Sequence, residues 1–497
     1  MSLINISNLT FSYEGGYEDI FKDVSFILDS NWKLGFCGRN GYGKTTFLNL
    51  LMGKYEFKGS IVSNVAFEYF PFVVDDDSQN AVEIIENIVK DISLWQIRKE
   101  LFLLNIDEDT LYRPFNTLSE GERTKVLIAS LFLKENKLLL IDEPTNHLDS
   151  SAREIMSDYL NTKKGFILVS HDRYFLDRCT DHTLYINKSN IEIVNGNFTV
   201  FWEQKQIKDA YELAQNEKLT KEIERLESAA KRTAKWADNA ERAKIGFDPT
   251  KTEKSKGRRP YEGEKSRKLM ASSKSLQIRQ NTGILEKSKL LKNIEKADNL
   301  KIHELEYFSK RMVSAEKLSI RYDNKEIFSP VSFTIERKDR LAIIGDNGSG
   351  KSSILKLING LNIPYTGDTY IGSRLVISYV PQDASFLKGN ISDFIVNNSI
   401  DETLFKTILI KLNFTKRQFD TNMENLSAGQ KKKILIACSL SQKAHLYIWD
   451  EPLNYIDILS RIQIEELILA FTPTLIFVEH DRAFCENIAT KSIRLSR

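Results

Sequence analysis

Two stretches hold the residue types best suited to chemistry: GRNGYGKTT, from Gly38 to Thr46, and GDNGSGKSS, from Gly345 to Ser353. Both fit G-x-x-x-x-G-K-[ST]. In that pattern the glycines (Gly38, Gly41 and Gly43; Gly345, Gly348 and Gly350) let backbone N–H groups close around phosphates. Lys44 or Lys351 adds a point charge at the β/γ position, and Thr45 or Ser352 offers a hydroxyl to Mg²⁺. Asn40, Thr46, Asn347 and Ser353 complete the two loops. Two phosphate cradles imply two nucleotide sites.

Hydrolysing a phosphoanhydride also needs a metal held against the phosphates and a positioned water. A strand-end acid pair occurs twice, Asp142-Glu143 and Asp450-Glu451. Asp142 and Asp450 are the expected Mg²⁺ holders, and Glu143 and Glu451 the residues that orient or deprotonate the attacking water. His171 and His480 each end an apolar run, in SHD and EHD, where an imidazole can hydrogen-bond the γ-phosphate.

These groups have to be placed by strands and helices, and the local patterns supply them. Each cradle lies between an apolar strand (Leu34 to Cys37; Leu341 to Ile344) and a helical pattern, so a helix N-terminus faces the anion. Leu138 to Ile141 and Leu446 to Trp449 read as buried strands delivering the acid pairs. The same signals recur in the same order: opening strand, cradle, YFPF or YVPQ, LSEGE or LSAGQ, the acid pair, then SHD or EHD. That is an internal duplication, and the fold class expected is α/β with two tandem P-loop domains.

At 497 residues there is room for two or three domains. No apolar run approaches the roughly 20 residues that span a bilayer, and the amino terminus lacks the layout of a signal peptide. A cytoplasmic location is therefore expected. Cys37, Cys179, Cys438 and Cys485 are scattered without C-x-x-C spacing and read as buried thiols. A net charge of +2 conceals an uneven distribution, because fifteen bases face six acids between Lys231 and Gln280. This basic stretch lies between the two copies. Lys205 to Lys244 lacks Gly and Pro and keeps helical apolar spacing; breakers cluster from Gly246 to Gly263; a second helical pattern runs from about Ser266 to Leu300. The reading is a basic antiparallel helical hairpin, residues 204–302, with its tip at about 245–263, joining domains at 1–203 and 303–497. Its charge suits a phosphate-rich partner, RNA above all.

GRNGYGKTT, LSEGE, DEPTNHLD and SHD resemble the motifs of ATP-binding cassette (ABC) ATPases, and the tandem arrangement with a long charged linker is similar to the ABC-F subfamily. LTFSY, NWKLGF and the linker around KSKLLKNIE are similar to its Lsa-type antibiotic-resistance branch. The resemblance implies head-to-tail closure of the two units around ATP and Mg²⁺. One site would join Lys44, Thr45, Asp142, Glu143 and His171 with Ser427 and Gly429. The other would join Lys351, Ser352, Gln382, Asp450, Glu451 and His480 with Ser119 and Gly121, Gln382 serving both metal and water. Tyr13 and Tyr322 match the adenine-stacking aromatic. Phe72 stands where Gln382 stands in the second unit, and DEPLNYID replaces DEPTNHLD, so the two sites are expected to turn over unequally, the first more slowly.

The resemblance further implies a monomeric, ribosome-associated protein without a membrane domain. Its hairpin would enter the ribosomal exit (E) site and approach the peptidyl-transferase centre, contacting large-subunit rRNA and tRNA. Antibiotic displacement there would confer resistance to lincosamides, streptogramin A compounds and pleuromutilins, with Phe247 at the turn as the reaching residue. The competing readings are a housekeeping ABC-F translation factor and the twin ATPase of an importer.

Overall fold

The computed structural model describes residues 2–14, 19–90, 92–146, 148–187, 190–244, 264, 267–268, 271–272, 274–276, 278–279, 282, 305–322 and 325–496. Two compact units divide the chain, one built from Met1–Phe201 together with Asn299–Arg497, the other from Trp202–Asp298.

Within the first compact unit the duplication is visible as two α/β halves. The amino-terminal half has a six-stranded sheet in the order Ala66–Phe70, Lys137–Asp142, Phe166–Val169, Lys33–Gly38, His182–Asn187, Asn190–Asn195, parallel except for the last strand. The carboxyl-terminal half repeats it with five parallel strands, in the order Ile377–Val380, Leu446–Asp450, Leu475–Val478, Arg340–Ile344, Lys491–Arg494. Parallel strands covered on both faces need continuous apolar runs. Leu138, Leu139, Leu140 and Ile141 supply one, and Leu446, Tyr447, Ile448 and Trp449 another, all buried. Each half carries a separate antiparallel sheet as well: Phe21–Asp29, Leu3–Phe11 and Lys58–Val62 in the first, and Arg311–Tyr322 with its neighbours in the second. Among these four sheets only the six-stranded one mixes parallel and antiparallel strands.

This topology decides where the reactive residues go. In a parallel α/β sheet ligands sit beyond the carboxyl ends of the strands, and the cradles, both acid pairs, His171, His480 and Gln382 all follow carboxyl ends. Gly43 (φ 91°) and Gly350 (φ 88°) begin the helices Lys44–Leu51 and Lys351–Ile358 in the left-handed region that favours glycine.

The other compact unit contains most of the helix Phe198–Lys244, 47 residues and so about 70 Å long at 1.5 Å per residue. Every described residue between 264 and 282 is also helical. The expected tip at 245–263, Phe247 within it, and the rest of the second arm lie outside the described residues. No helix among the described residues is long and apolar enough to cross a membrane. Of the four cysteines read as buried, Cys37, Cys179 and Cys438 are, whereas Cys485 is half-buried, because the short helix Arg482–Ile488 leaves one flank open.

Candidate nucleotide sites

In the first cradle Lys44 is buried and turns back on its own loop, donating to the Gly38 carbonyl at 2.8 Å and the Arg39 carbonyl at 3.3 Å. Lys351 does the same to Gly345 at 2.8 Å and Asp346 at 2.9 Å. Burial lowers both ammonium pKa values, and neighbouring acids oppose the shift. Among those acids, Asp457 of the second half acts on Lys44, and Asp149 of the first half acts on Lys351. Each lysine therefore feels a carboxylate from the opposite half.

The hydroxyl–acid pairs converge as expected. Thr45 Oγ1 donates to Asp142 Oδ2 at 2.9 Å, and Ser352 Oγ donates to Asp450 Oδ1 at 3.1 Å. Such pairs of hard oxygens suit Mg²⁺, which takes one or two protein ligands alongside phosphate oxygens. The glutamate after each aspartate adopts positive φ, 52° at Glu143 and 46° at Glu451, a conformation uncommon for a non-glycine residue. Each is held there by its backbone N–H bonding the last residue of the adjacent strand, Val169 or Val478.

The two glutamates differ in everything else. Glu451 Oε2 accepts from Gln382 Nε2 at 2.7 Å and from Asn454 Nδ2 at 2.8 Å, and His480 Nε2 lies 3.5 Å from Oε1. Burial works against ionisation of Glu451, but His480, Gln382 and Asn454 outweigh it and hold the carboxyl at about 2. Glu143 has no glutamine beside it. His171 Nε2 approaches Glu143 Oε1 to 3.2 Å without the alignment of a hydrogen bond, and that oxygen is buried without a donor among the described residues. Burial, reinforced by the Asp142 charge, pushes Glu143 up to about 8. Burial also depresses His171 well below its ordinary value, helped by the charges of Lys44 and Arg461. Burial thus favours the uncharged forms of the first acid–histidine pair, whereas the second carboxyl is held ionised.

The structure brings the first cradle against the second half's LSAGQ segment. Asn40 Nδ2 donates to the Tyr455 carbonyl at 2.9 Å. Gly429 sits so close that an added Cβ would lie 2.3 Å from that carbonyl oxygen and 3.4 Å from Asn40 Nδ2. Ser427 caps the helix Ala428–Ser441, accepting from the Gln430 N–H. Ser119 caps Glu120–Phe132 likewise, but no hydrogen bond or ion pair among the described residues links Ser119 or Gly121 to the second cradle. His147, which matches Tyr455 in position, lies outside the described residues. Tyr13 is 45% exposed, edge-on to Phe11 and Tyr55, with its hydroxyl 2.8 Å from Thr46 Oγ1. The side chain of Tyr322 lies outside the described residues.

Sequence reasoning missed several residues that shape these sites. Tyr69 Oη donates to Asp142 Oδ2 at 3.0 Å, on the same oxygen as Thr45. The halves are further joined by Arg173 with Glu465, a bidentate pair, by Arg153 donating to the His480 carbonyl at 3.3 Å, and by Arg482 with Glu154 at 3.2 Å. Tyr69 was legible as part of the repeated Y-x-P motif. The cross-half pairs left no signal, because their members lie about 300 residues apart.

The ABC transporter family model matches residues 21–146 and 328–454, one stretch per half, which together make up more than half of the chain. The chain belongs to the ABC transporter family. Its membership fits an ATPase with cassettes in tandem. Relatives of this ABC protein align over nearly its whole length. The ATP-binding protein Uup of Buchnera aphidicola is 28% identical, covering 99% of this chain and 80% of its own. The ribosome protection protein VmlR of Bacillus subtilis is 26% identical over 99% of this chain and 87% of its own. ABC transporter F family member 2 of Arabidopsis thaliana is 26% identical over 99% and 76%. End-to-end alignment with an F-family member agrees with the ABC-F resemblance of the motifs. Among solved structures, the archaeal ribosome recycling factor aABCE1 in complex with a ribosomal stalk protein superposes with a TM-score of 0.63 at 18% identity, covering 99% of this ABC protein and 87% of that chain.

Proposed function

We propose that this ABC-F ATPase works in the cytoplasm on the ribosome, as a monomer whose two cassettes (1–203 and 303–497) close on ATP and drive a basic helical hairpin (204–302) into the E site toward the peptidyl-transferase centre. There it contacts large-subunit rRNA and tRNA and dislodges lincosamide, streptogramin A or pleuromutilin antibiotics, as a member of the Lsa-type branch. The observation that carries this reading is the 47-residue helix Phe198–Lys244 leading into a segment with fifteen bases against six acids. A charge surplus of that size favours a polyphosphate partner. The alignment with a ribosome protection protein over 99% of the chain supports it.

In this reading Thr45 with Asp142, and Ser352 with Asp450 and Gln382, would hold Mg²⁺, which would supply charge neutralisation at the phosphates. Lys44 and Lys351 bind the phosphates, the N–H groups of Gly38 to Thr46 and Gly345 to Ser353 cradle them, and Tyr13 and Tyr322 stack on adenine. Glu143 and Glu451 orient water, and His171 and His480 hold the γ-phosphate. Ser427 and Gly429 close the first site, Ser119 and Gly121 the second. The ionised, triply supported Glu451 makes the second site the faster one.

Inhibitory concentrations in a susceptible strain expressing the protein test the resistance role, and a rise for at least one peptidyl-transferase drug is expected. Glu143→Gln with Glu451→Gln should trap the protein in the ribosomal fraction with ATP; its absence from that fraction overturns the ribosomal reading. Relatives whose names carry no ribosome-protection role, the ATP-binding protein Uup among them, align over as much of this chain as VmlR does, which keeps a housekeeping translation role as the second reading. Ribosome trapping without any change in drug susceptibility would select it.

A further inference from the structure

Lys432 lies one turn into the helix Ala428–Ser441 and is 3% exposed. Its ammonium donates to the Pro381 carbonyl at 3.1 Å and to the Glu451 carbonyl at 3.0 Å. Pro381 precedes Gln382, whose amide reaches Glu451 Oε2 at 2.7 Å. One buried cation therefore ties the segment that carries Gln382 to the backbone of the glutamate that Gln382 supports. Burial disfavours this charge, and the acidic groups of Glu479, Asp450 and Glu451 nearby offset that only in part.

The same helix starts at the other site. Ser427 caps it, and Gly429 packs against Asn40 of the first cradle and the Tyr455 carbonyl. A rigid helix thus has the first cradle at its N-terminus and the Gln382–Glu451 pair at its next turn. Among the described residues the first half has no counterpart: its matching position is Thr124, buried and too short to span two carbonyls, whereas the following lysines match, Lys125 donating to Leu104 and Lys433 to Leu412.

We propose that Lys432 is a positioning residue of the second ATP site, holding Gln382 against Glu451, and that through it the first cradle sets the turnover of the second. Thr124 leaves the first site without this device. The inference rests on the assignment of Glu451 as the water-orienting residue.

The test uses the full chain in a Glu143→Gln background, where steady-state turnover reports the second site. Lys432→Met, similar in length and uncharged, is expected to lower kcat for ATP about tenfold, the range found when outer partners of reactive groups are removed. KM should stay within about twofold, since binding groups are untouched. Lys432→Arg should recover most of the rate. Asn40→Ala should slow the second site when Lys432 is present and add nothing in Lys432→Met, the signature of one shared pathway. Should Lys432→Met not fold, Lys432→Gln retains an uncharged amide donor and should give an intermediate kcat. Unchanged kcat in the Lys432 variants, or independent losses from Asn40→Ala and Lys432→Met, would overturn the proposal. Glu451→Gln in the same background separates the premise: surviving turnover there defeats the role of Glu451, whereas its loss beside a normal Lys432→Met rate defeats this inference alone.

Discussion

Gln382 donates to Glu451 at 2.7 Å, and no side-chain amide among the described residues does the same for Glu143, because the matching position is Phe72, a half-buried phenylalanine. The consequence is chemical: an ionised carboxylate can accept the proton of an attacking water, and a carboxyl kept neutral by burial cannot. Two cassettes with nearly the same motifs thus place their glutamates in different surroundings.

The first expected outcome concerns that difference. Glu451→Gln should remove most of the ATP turnover, and Glu143→Gln a minor part, in steady-state assays of each single variant. Phe72→Gln in the Glu451→Gln background should raise the residual rate several-fold by giving Glu143 a donor. Equal losses from the two glutamate variants would count against the asymmetry.

Tyr69 shares Asp142 Oδ2 with Thr45 and so fixes the acid of the first cradle. In the Glu451→Gln background, Tyr69→Phe should raise the Mg²⁺ concentration needed for half-maximal binding of a fluorescent ATP analogue by about tenfold. Tyr379→Phe should leave it unchanged, because Tyr379 makes no such bond among the described residues.

The pair Arg173–Glu465 spans the two halves and is largely buried. Arg173→Ala leaves Glu465 without its counter-charge and should cost about 3–5 kcal/mol in urea unfolding. Arg173→Met with Glu465→Met should recover much of that loss, since neither charge then remains to be desolvated.

Glu479 replaces the serine of the first half's SHD, and its buried Oε2 has no hydrogen-bond partner among the described residues. Burial pushes its carboxyl up to about 8, although Arg461 opposes the shift. The folded chain therefore holds this proton more tightly than the unfolded chain does, and stability falls as pH rises from the ordinary carboxylate value of about 4.5 to about 8. Glu479→Gln should match the parent at pH 4 and exceed it at pH 8, measured by urea midpoints. A parallel pH profile for both proteins would refute this.

Gly429 meets the Tyr455 carbonyl with no room for a methyl group. Gly429→Ala should weaken ATP binding at the first cradle more than at the second, read by analogue titration of Lys351→Ala and Lys44→Ala backgrounds respectively.

The sequence alone determined the two cradles, the two acid pairs, the duplication and the α/β class, because each depends on neighbours within a few residues: a glycine that frees φ, an apolar run that must be buried, a hydroxyl next to a lysine. It also exposed the Phe72 for Gln382 exchange, from which unequal turnover is expected. Only the tertiary structure decided that burial raises the Glu143 carboxyl while its partners hold Glu451 ionised, that Tyr69 bonds Asp142 and Lys432 bonds the Pro381 and Glu451 carbonyls, and that Arg173 finds Glu465. Those outcomes depend on which groups meet across the halves and on how far water is excluded when they do. Neither quantity is local to any stretch of chain.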